Sequence, residues 1–377
     1  MAYDRYVTFI RSSRLSISNA NKGKHTLYDT FIDEYRRVFT IVLDDMWEWD
    51  KMSRFGSYAS KRFKHVDTWL AAAIMQCVAG QASALIRGTR KSAKALGVVP
   101  SKPTNVAVCP ELDERFGRIE WTSTTSFDGW LTFKKFGKRG SRLKIVIPLK
   151  RTKHLNALVA KGGIQTKGFH LSKKGVTLVF KTPRKTVTGT KSLGVDVGII
   201  DIIHTSDDQI LGQNHPHGHT LSKIQQRLSR HKKGSKGFKR AQDLRDNFIG
   251  WSVNQLNLDD VNELKVEDLK GMKQGKKNPR FLSHWSYATI FRRLEMKAEE
   301  HGVRVTKVDP RNTSRTCPIC GAVDKRNRRG KVFRCVTCGH AADADLVGAI
   351  NIQCAPPKVV VQRGAYSPSC KQNVIET

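Results

Sequence analysis

The chain has 377 residues, of which 67 are Lys or Arg and 33 are Asp or Glu, so its formal net charge at pH 7 is +34. Hydrophobic residues make up 39% of the chain, which excludes global disorder. No apolar run approaches the ~20 residues that span a bilayer, so nucleic acid is favoured over an acidic membrane as the polyanion that neutralises this charge.

One strand and two helices are predicted before residue 100. Residues 5–17 are rich in β-branched and aromatic types, which is typical of a strand. At Thr26, a candidate helix N-cap, the apolar spacing changes to three and four residues and continues through Val42. A second helix is predicted over residues 67–90, with four core positions: Trp69, Ala73, Cys77 and Leu85.

Strands return between residues 104 and 188. Apolar residues alternate along residues 143–147 and along residues 176–180, and basic turns separate the strands. The pattern predicts a small, mostly antiparallel β domain.

The C-terminal half alternates between strands and helices. Residues 193–212 predict a β-hairpin in which two apolar strands flank a Ser-Asp-Asp turn. Four elements follow: a basic helix over residues 220–255, a buried strand at Glu263–Glu267, an amphipathic helix over residues 283–301 and a strand at Val303–Val308. Residues 354–377 mix Pro, Ser, Gln and Lys, and we expect a loose tail there.

Four of the eight cysteines form two CxxC pairs: Cys317, Cys320, Cys335 and Cys338. A basic chain without a signal peptide belongs in a reducing compartment, where such pairs hold metal. Tetrahedral Zn²⁺ takes four thiolates, and the Gly after each pair permits a tight turn. We predict a structural zinc site, because four thiolates leave no position for a catalytic water. The basic segment between the pairs, residues 324–331, is either a solvated hairpin tip or a phosphate contact.

Three acidic residues interrupt or border apolar segments. Asp196 lies within the apolar run 193–199, Glu267 ends a strand, and Asp345 begins an apolar run that predicts a helix. Buried carboxylates that converge are stabilised by Mg²⁺ or Mn²⁺ between them. Each residue alone also has a simpler interpretation: a strand-end turn, a surface charge and a helix cap, respectively. Their combination on a basic chain favours a catalytic metal site.

Together these motifs resemble a known family. The segments Gly194–Gly198, Val266–Leu269, Pro310–Gly321, Phe333–Gly339 and Asp343–Asp345 resemble the C-terminal half of the TnpB transposon-associated nucleases. Fanzor proteins and compact type V CRISPR effectors share this half. The similarity covers about residues 190–353, whereas the N-terminal half matches only in plan.

The resemblance implies an α/β plus β fold. It implies an RNase H-like RuvC nuclease domain at residues 191–312 and 342–353, with a zinc ribbon inserted at residues 313–341. A β-barrel wedge domain would precede it at residues 1–21 and 103–190, with a helical recognition domain inserted at residues 22–102.

The same resemblance implies an RNA-guided DNA endonuclease. Its RuvC triad maps onto Asp196, Glu267 and Asp345, which would use Mg²⁺ or Mn²⁺ in two-metal hydrolysis of DNA. The final family motif reads Asp-x-Asn-Ala-Ala, from which Val347 and Gly348 depart without removing a metal ligand. Implied partners are a guide RNA and target DNA, double- and single-stranded. We expect a monomer in the cytoplasm or nucleoid, or in the nucleus of a eukaryote.

Phosphate contacts are predicted on the basic helix that follows the hairpin. The expected residues are Arg227, Arg230, Lys232, Lys233, Lys236, Lys239 and Arg240. Aromatic residues among basic ones, Trp47, Trp49, Phe55, Tyr58 and Phe63, are candidates for stacking on bases, although core packing is preferred for Trp47 and Phe63.

Two other functions fit parts of the pattern. A nuclease-inactive RNA-guided DNA-binding protein is expected to lack a triad carboxylate, and all three are present here. An RNA-independent transposase-type nuclease would not co-purify with RNA, which separates it from a guided enzyme.

Overall fold

The computed structural model describes residues 8–49, 62–104, 106–141, 143–187, 189–198, 201–269 and 286–358. These residues divide between an N-terminal unit, Thr8–Pro183, and a C-terminal unit that begins at Arg184. Phe55, Tyr58 and most of the predicted tail lie outside the described residues.

The strands of the N-terminal unit are antiparallel, as predicted. They are β1 (Thr8–Leu15), β2 (Glu111–Leu112), β3 (Gly117–Trp121), β4 (Gly129–Lys134), β5 (Lys144–Leu149), β6 (Ile164–Ser172) and β7 (Gly175–Pro183). One sheet has the order β1-β7-β6-β2 and the other the order β3-β4-β5. The predicted alternation is confirmed, because Ile145 and Ile147 are buried on β5, and Val176, Leu178 and Phe180 on β7.

Three helices accompany these sheets in the described part of the unit: α1 (Lys22–Trp47), α2 (Ala72–Leu96) and α3 (Lys153–Ala160). The predicted N-cap at Thr26 is wrong. The side chain of Asn21 accepts a hydrogen bond from Lys24 N at 3.0 Å and caps α1 one turn earlier, since Asn is the better cap. The short helix α3 was not predicted; Thr152 caps it, because the Thr152 hydroxyl accepts a hydrogen bond from Leu155 N.

The face of α2 also differs from the prediction. The four expected core residues pack against the core but are only half-buried, and Trp69 precedes the helix, which begins at Ala72. The adjacent stripe of Ile74, Val78, Ala82 and Ile86 is fully buried. Apolar residues occupy both stripes, so periodicity alone does not select between them. In α1 the predicted face is confirmed, because Phe31, Tyr35, Val38 and Val42 are buried.

The helices and strands of this unit share one hydrophobic core. Phe63 is buried in it, and Trp47 packs partly against it, in agreement with the preference for core packing.

The C-terminal unit contains a five-stranded sheet of order β10-β9-β8-β11-β12. Its strands are β8 (Lys191–Asp196), β9 (Ile203–Thr205), β10 (Ile210–Leu211), β11 (Val261–Glu267) and β12 (Arg304–Val308). β8, β9 and β10 are antiparallel, while β11 runs parallel to β8 and β12. The predicted turn joins β9 to β10, but the first predicted strand is two strands, because β8 ends at Asp196.

Four helices of this unit are described: α4 (Leu221–Arg230), α5 (Lys236–Asn254), α6 (Tyr287–His301) and α7 (Ala344–Cys354). The single basic helix predicted over residues 220–255 is therefore wrong. α4 ends at Arg230, and the turn that follows contains Gly234, whose φ of 84° suits glycine. Ser235 then caps α5 by accepting a hydrogen bond from Phe238 N. Apolar faces of α4, α5 and α6 pack with the sheet in one core.

The segment that carries the cysteines forms a small three-stranded antiparallel sheet of β13 (Arg328–Arg329), β14 (Val332–Arg334) and β15 (Ala341–Asp343). Phe333, Cys317 and Cys335 pack with Ala344 and Val347 of α7. This contact fixes the cysteine-bearing segment 313–341, called the ribbon below, against the helix that carries Asp345. Among the described helices, none is long and apolar enough to cross a membrane.

Candidate metal centres and nucleic-acid interface

The four cysteines of the CxxC pairs meet at one point. Sγ of Cys317 lies 3.6 Å from Sγ of Cys338, Cys320 Sγ lies 3.5 Å from Cys335 Sγ, and all four lie within 4.8 Å of one another. The glycines after each pair, Gly321 and Gly339, have φ of 73° and 75°, which explains the residue type. This donor set and spacing fit a tetrahedral zinc ion.

Backbone groups prepare one of these thiols for metal. The N–H groups of Cys338 and Thr337 lie 3.5 and 3.4 Å from Cys335 Sγ. These hydrogen bonds, first that of Cys338, lower the pKa of Cys335 to about 6. The thiolate is the form that binds metal.

Asp196 is the last residue of β8 rather than an interior strand residue. Steric constraints explain why two positions near Asp196 are glycines. A Cβ at Gly194 would lie 2.0 Å from Ala349 O, so glycine lets α7 approach β8 closely. A Cβ at Gly348 would lie 2.9 Å from Asp196 Oδ2. The departure from the family motif at Gly348 therefore leaves room for the Asp196 carboxylate.

Glu267 ends β11 and is held by a threonine. The Thr313 hydroxyl donates to Glu267 Oε1 at 2.5 Å, and the Asn351 side chain of α7 donates to Thr313 O at 2.7 Å. Burial raises the pKa of Glu267, although the Thr313 hydrogen bond opposes the shift. The start of the ribbon segment and α7 thus position this carboxylate together.

Asp345 lies in the first turn of α7 and is 7% exposed. The helix cap is Asp343 rather than Asp345: Asp343 Oδ1 accepts hydrogen bonds from Asp345 N at 2.8 Å and from Leu346 N at 3.1 Å. Two ribbon cations contact the Asp345 carboxylate. Arg328 donates to Oδ1 at 2.8 Å, and Lys331 donates to Oδ2 and, at 2.6 Å, to Asp201.

The three predicted carboxylates influence one another electrostatically. Burial, followed by the charges of Glu267 and Asp345, raises the pKa of Asp196 to about 7, while the charge of Arg328 opposes the shift. A divalent cation would remove this cost of ionising neighbouring buried acids, so the donor set fits Mg²⁺ or Mn²⁺. The structure brings Asp196 near both other carboxylates, but among the described residues the three do not together form a group whose ligand atoms lie within 4.8 Å of one another.

Several site residues were missed from the sequence. His204, Asp201, Thr313, Arg328 and Lys331 contact the carboxylates or their supports. His204 had a usable signal, because it interrupts the apolar strand β9 as Asp196 ends β8. Arg328 and Lys331 were recognised only as basic residues of the segment 324–331, for which neither interpretation included an ion pair with Asp345.

The seven basic residues predicted to bind nucleic acid are all exposed. They lie on α4, on the turn after it and on the first turns of α5. Within the described part of the chain, none of the seven forms an ion pair with a carboxylate. Their charges therefore face solvent and are accessible to phosphates.

Sequence comparisons match parts of this chain to Cas12f1-like and TnpB-like proteins. Residues 287–352 match the family model of the Cas12f1-like TNB domain. The CRISPR-associated endodeoxyribonuclease Cas12f1 of Sulfoacidibacillus thermotolerans is 40% identical over 90 residues, 24% of this chain and 21% of that protein. The TnpB-like protein MJ0751 of Methanocaldococcus jannaschii is 31% identical over 96 residues, 24% of this chain and 34% of that protein. The chain thus spans about a fifth of the length of the first Cas12f1 relative.

Structural comparisons extend over most of the chain. The cryo-EM structure of the Cas12f1–sgRNA–target DNA complex aligns with a TM-score of 0.55 and 16% identity, over 87% of this chain and 81% of that one. The mini-RNA-guided endonuclease CRISPR-Cas_phi3 aligns with a TM-score of 0.51 and 9% identity, over 94% of each chain. At these identities the alignments show a shared fold. The predicted resemblance to TnpB-like proteins and compact type V effectors is confirmed.

Proposed function

We propose that the chain is an RNA-guided DNA endonuclease that hydrolyses phosphodiester bonds of guide-complementary DNA. The observation that carries the proposal is that Asp196 and Glu267 end two paired strands, β8 and β11, and that Asp345 lies in the first turn of α7, which packs against β8. The similar Cas12f1 proteins are named endodeoxyribonucleases, and a structure with the same fold is a complex with guide RNA and target DNA. These names support a nuclease that binds both a guide RNA and a target DNA.

In this proposal the C-terminal unit is an RNase H-like RuvC domain with an inserted zinc ribbon. The N-terminal unit combines a β-barrel wedge domain with inserted recognition helices, at the boundaries given above. The five-stranded sheet and the four-cysteine cluster support the first assignment. Antiparallel sheets that share a core with α1 and α2 support the second.

The proposed triad has one role for each carboxylate. Asp196 would bridge two ions, and Glu267 and Asp345 would each hold one. Bound Mg²⁺ or Mn²⁺ would activate water and stabilise the leaving oxygen of the phosphodiester. Thr313 orients Glu267, and the Asp343 cap holds the helix turn that carries Asp345.

Ribbon residues belong to the same proposed site. Arg328 and Lys331 direct positive charge at Asp345 from β13 and the turn before β14. The zinc ion would therefore contribute indirectly to catalysis, because it fixes the hairpin that carries both cations. Guide pairing would supply sequence specificity, and the exposed residues of α4 and α5 would bind phosphates.

The proposal is tested by sequencing the RNA that co-purifies with the full chain. A double-stranded DNA that matches this RNA is expected to be cut in Mg²⁺, and a scrambled DNA of equal length is the control. Equal cutting of both DNAs by RNA-free protein would favour the RNA-independent nuclease. Specific binding without cutting would favour the inactive guided binder.

A further inference from the structure

A buried imidazole lies beside the carboxylates at the start of α7. His204, on β9, is 3% exposed and is paired with Asp196 across the β8–β9 ladder. Its two ring nitrogens face different carboxylates: Nε2 lies 2.8 Å from Asp208 Oδ1, and Nδ1 lies 3.5 Å from Asp343 Oδ1. The Nδ1 side of the ring therefore faces the N-terminus of α7.

His204, Asp343 and Asp345 present converging donor atoms. One ligand atom from each of the three side chains lies within 4.8 Å of the other two, a convergence that the four cysteines also show. Both hydrogen bonds of the α7 cap end on Asp343 Oδ1, so the other carboxylate oxygen is available to a ligand. Two of the three side chains are buried, and one donor is a nitrogen, unlike in a cluster of surface acids.

Asp208 supplies the partner that a metal-binding histidine needs. An ionised carboxylate only accepts hydrogen bonds, so the neutral tautomer of His204 that pairs with Asp208 is the one with its proton on Nε2. In a neutral imidazole, Nδ1 then keeps its lone pair. Histidines that bind metals commonly donate their other N–H group to a carboxylate in this way.

We infer that His204, Asp343 and Asp345 bind a divalent transition-metal ion of the Mn²⁺, Co²⁺ or Zn²⁺ class. The inference deepens the proposed function and rests on it, because Asp345 belongs to both ligand sets. An imidazole nitrogen suits these ions, whereas Mg²⁺ strongly prefers oxygen ligands. Arg328 and Lys331 already contact Asp345, but each carboxylate oxygen has two lone pairs, so an ion can be added beside them.

A direct test detects nitrogen bound to the metal. The full chain, with its co-purified RNA and its ribbon loaded with zinc, is labelled with ¹⁵N-histidine and titrated with Mn²⁺. Electron spin echo modulation from ¹⁵N then reports imidazole coordination and excludes RNA bases as its source. The wild-type protein is expected to show this modulation. His204→Gln is expected to lose it and to bind Mn²⁺ about tenfold or more weakly.

Two further variants make the test specific. Asp343→Asn keeps the oxygen that caps α7 but removes the charge, and it is expected to weaken Mn²⁺ binding without loss of ribbon zinc. This variant also tests the site if His204→Gln does not fold. His301→Gln is the matched control, because His301 lies at the end of α6 and its Nδ1 contacts Lys297 O. The control is expected to keep both modulation and affinity.

The outcomes separate this inference from the proposed function. Absence of ¹⁵N modulation in the wild-type protein, or its persistence in His204→Gln, would overturn the inference and leave His204 as a charged bridge between Asp208 and Asp343. The proposal that the chain cleaves matched DNA would then be unaffected. If the modulation is present but matched DNA is never cut, the metal site stands and the nuclease proposal fails.

Discussion

Replacement of Asp196 by Asn is expected to stabilise the protein when divalent cations other than the ribbon zinc are absent. In the wild type the pKa of Asp196 is raised from 3.8 to about 7, chiefly by burial and then by the charges of Glu267 and Asp345. The folded state therefore holds a proton that the unfolded state has lost, and stability falls as pH rises from about 4 through 7. Above pH 7 the difference between the two pKa values corresponds to about 4 kcal/mol of destabilisation.

Urea denaturation of the zinc-loaded chain at pH 5 and pH 8 measures this effect. Asp196→Asn cannot ionise, so its free energy of unfolding is expected to exceed that of the wild type at pH 8 by a few kcal/mol and to match it more closely at pH 5. Added Mg²⁺ is expected to raise the free energy of unfolding of the wild type at pH 8 and so to remove much of its difference from Asp196→Asn. Asp309→Asn, on an exposed residue, is the control and should follow the wild type. An Asp196→Asn protein with the same pH dependence as the wild type would refute the reasoning.

Four other predictions concern cleavage, zinc, RNA and the motif departure. Asp196→Ala is expected to abolish cleavage of a matched DNA and leave guided binding nearly intact in a filter-binding assay, because pairing and backbone contacts do not pass through the metals; loss of both would indicate a structural role. Cys335→Ser is expected to lower zinc content in elemental analysis and to melt the ribbon at residues 313–341, and a zinc-free wild type would contradict the site. Guide RNA affinity is expected to fall by orders of magnitude between ~50 and ~200 mM salt, and a flat response would contradict phosphate binding. Gly348→Ala introduces the family residue 2.9 Å from Asp196 Oδ2, so Mn²⁺ affinity and cleavage are expected to fall several-fold; unchanged affinity would show that Asp196 moves without cost.

The basic region shows where local signals compete. Composition and spacing predicted one helix over residues 220–255, but Gly234 and Ser235 divide it into α4 and α5. Both residues are ordinary helix-ending and helix-starting signals. The break was therefore readable from the sequence, and the long run of basic residues concealed it.

Local chemistry determined the features that depend on neighbours in the chain. Two CxxC pairs with trailing glycines indicated the four-cysteine cluster, because each pair places two thiols within four residues. A helix start near Asp345 was also predicted from the sequence, and the capping residue itself is Asp343, whose carboxylate bonds to N–H groups two and three residues further on. The buried faces of α1, β5 and β7 followed from periodicity, since most of the large apolar side chains of each element recur on one face.

Only the tertiary structure decided which side chains surround each carboxylate. Lys331 reaches Asp201, 130 residues away in the sequence, as well as Asp345. His204 likewise contacts the distant Asp343 as well as its neighbour Asp208. The buried stripe of α2 was likewise set by its tertiary neighbours, chiefly the helix α1. Periodicity describes one element at a time, whereas these contacts depend on the register of paired strands and on how closely α7 approaches β8.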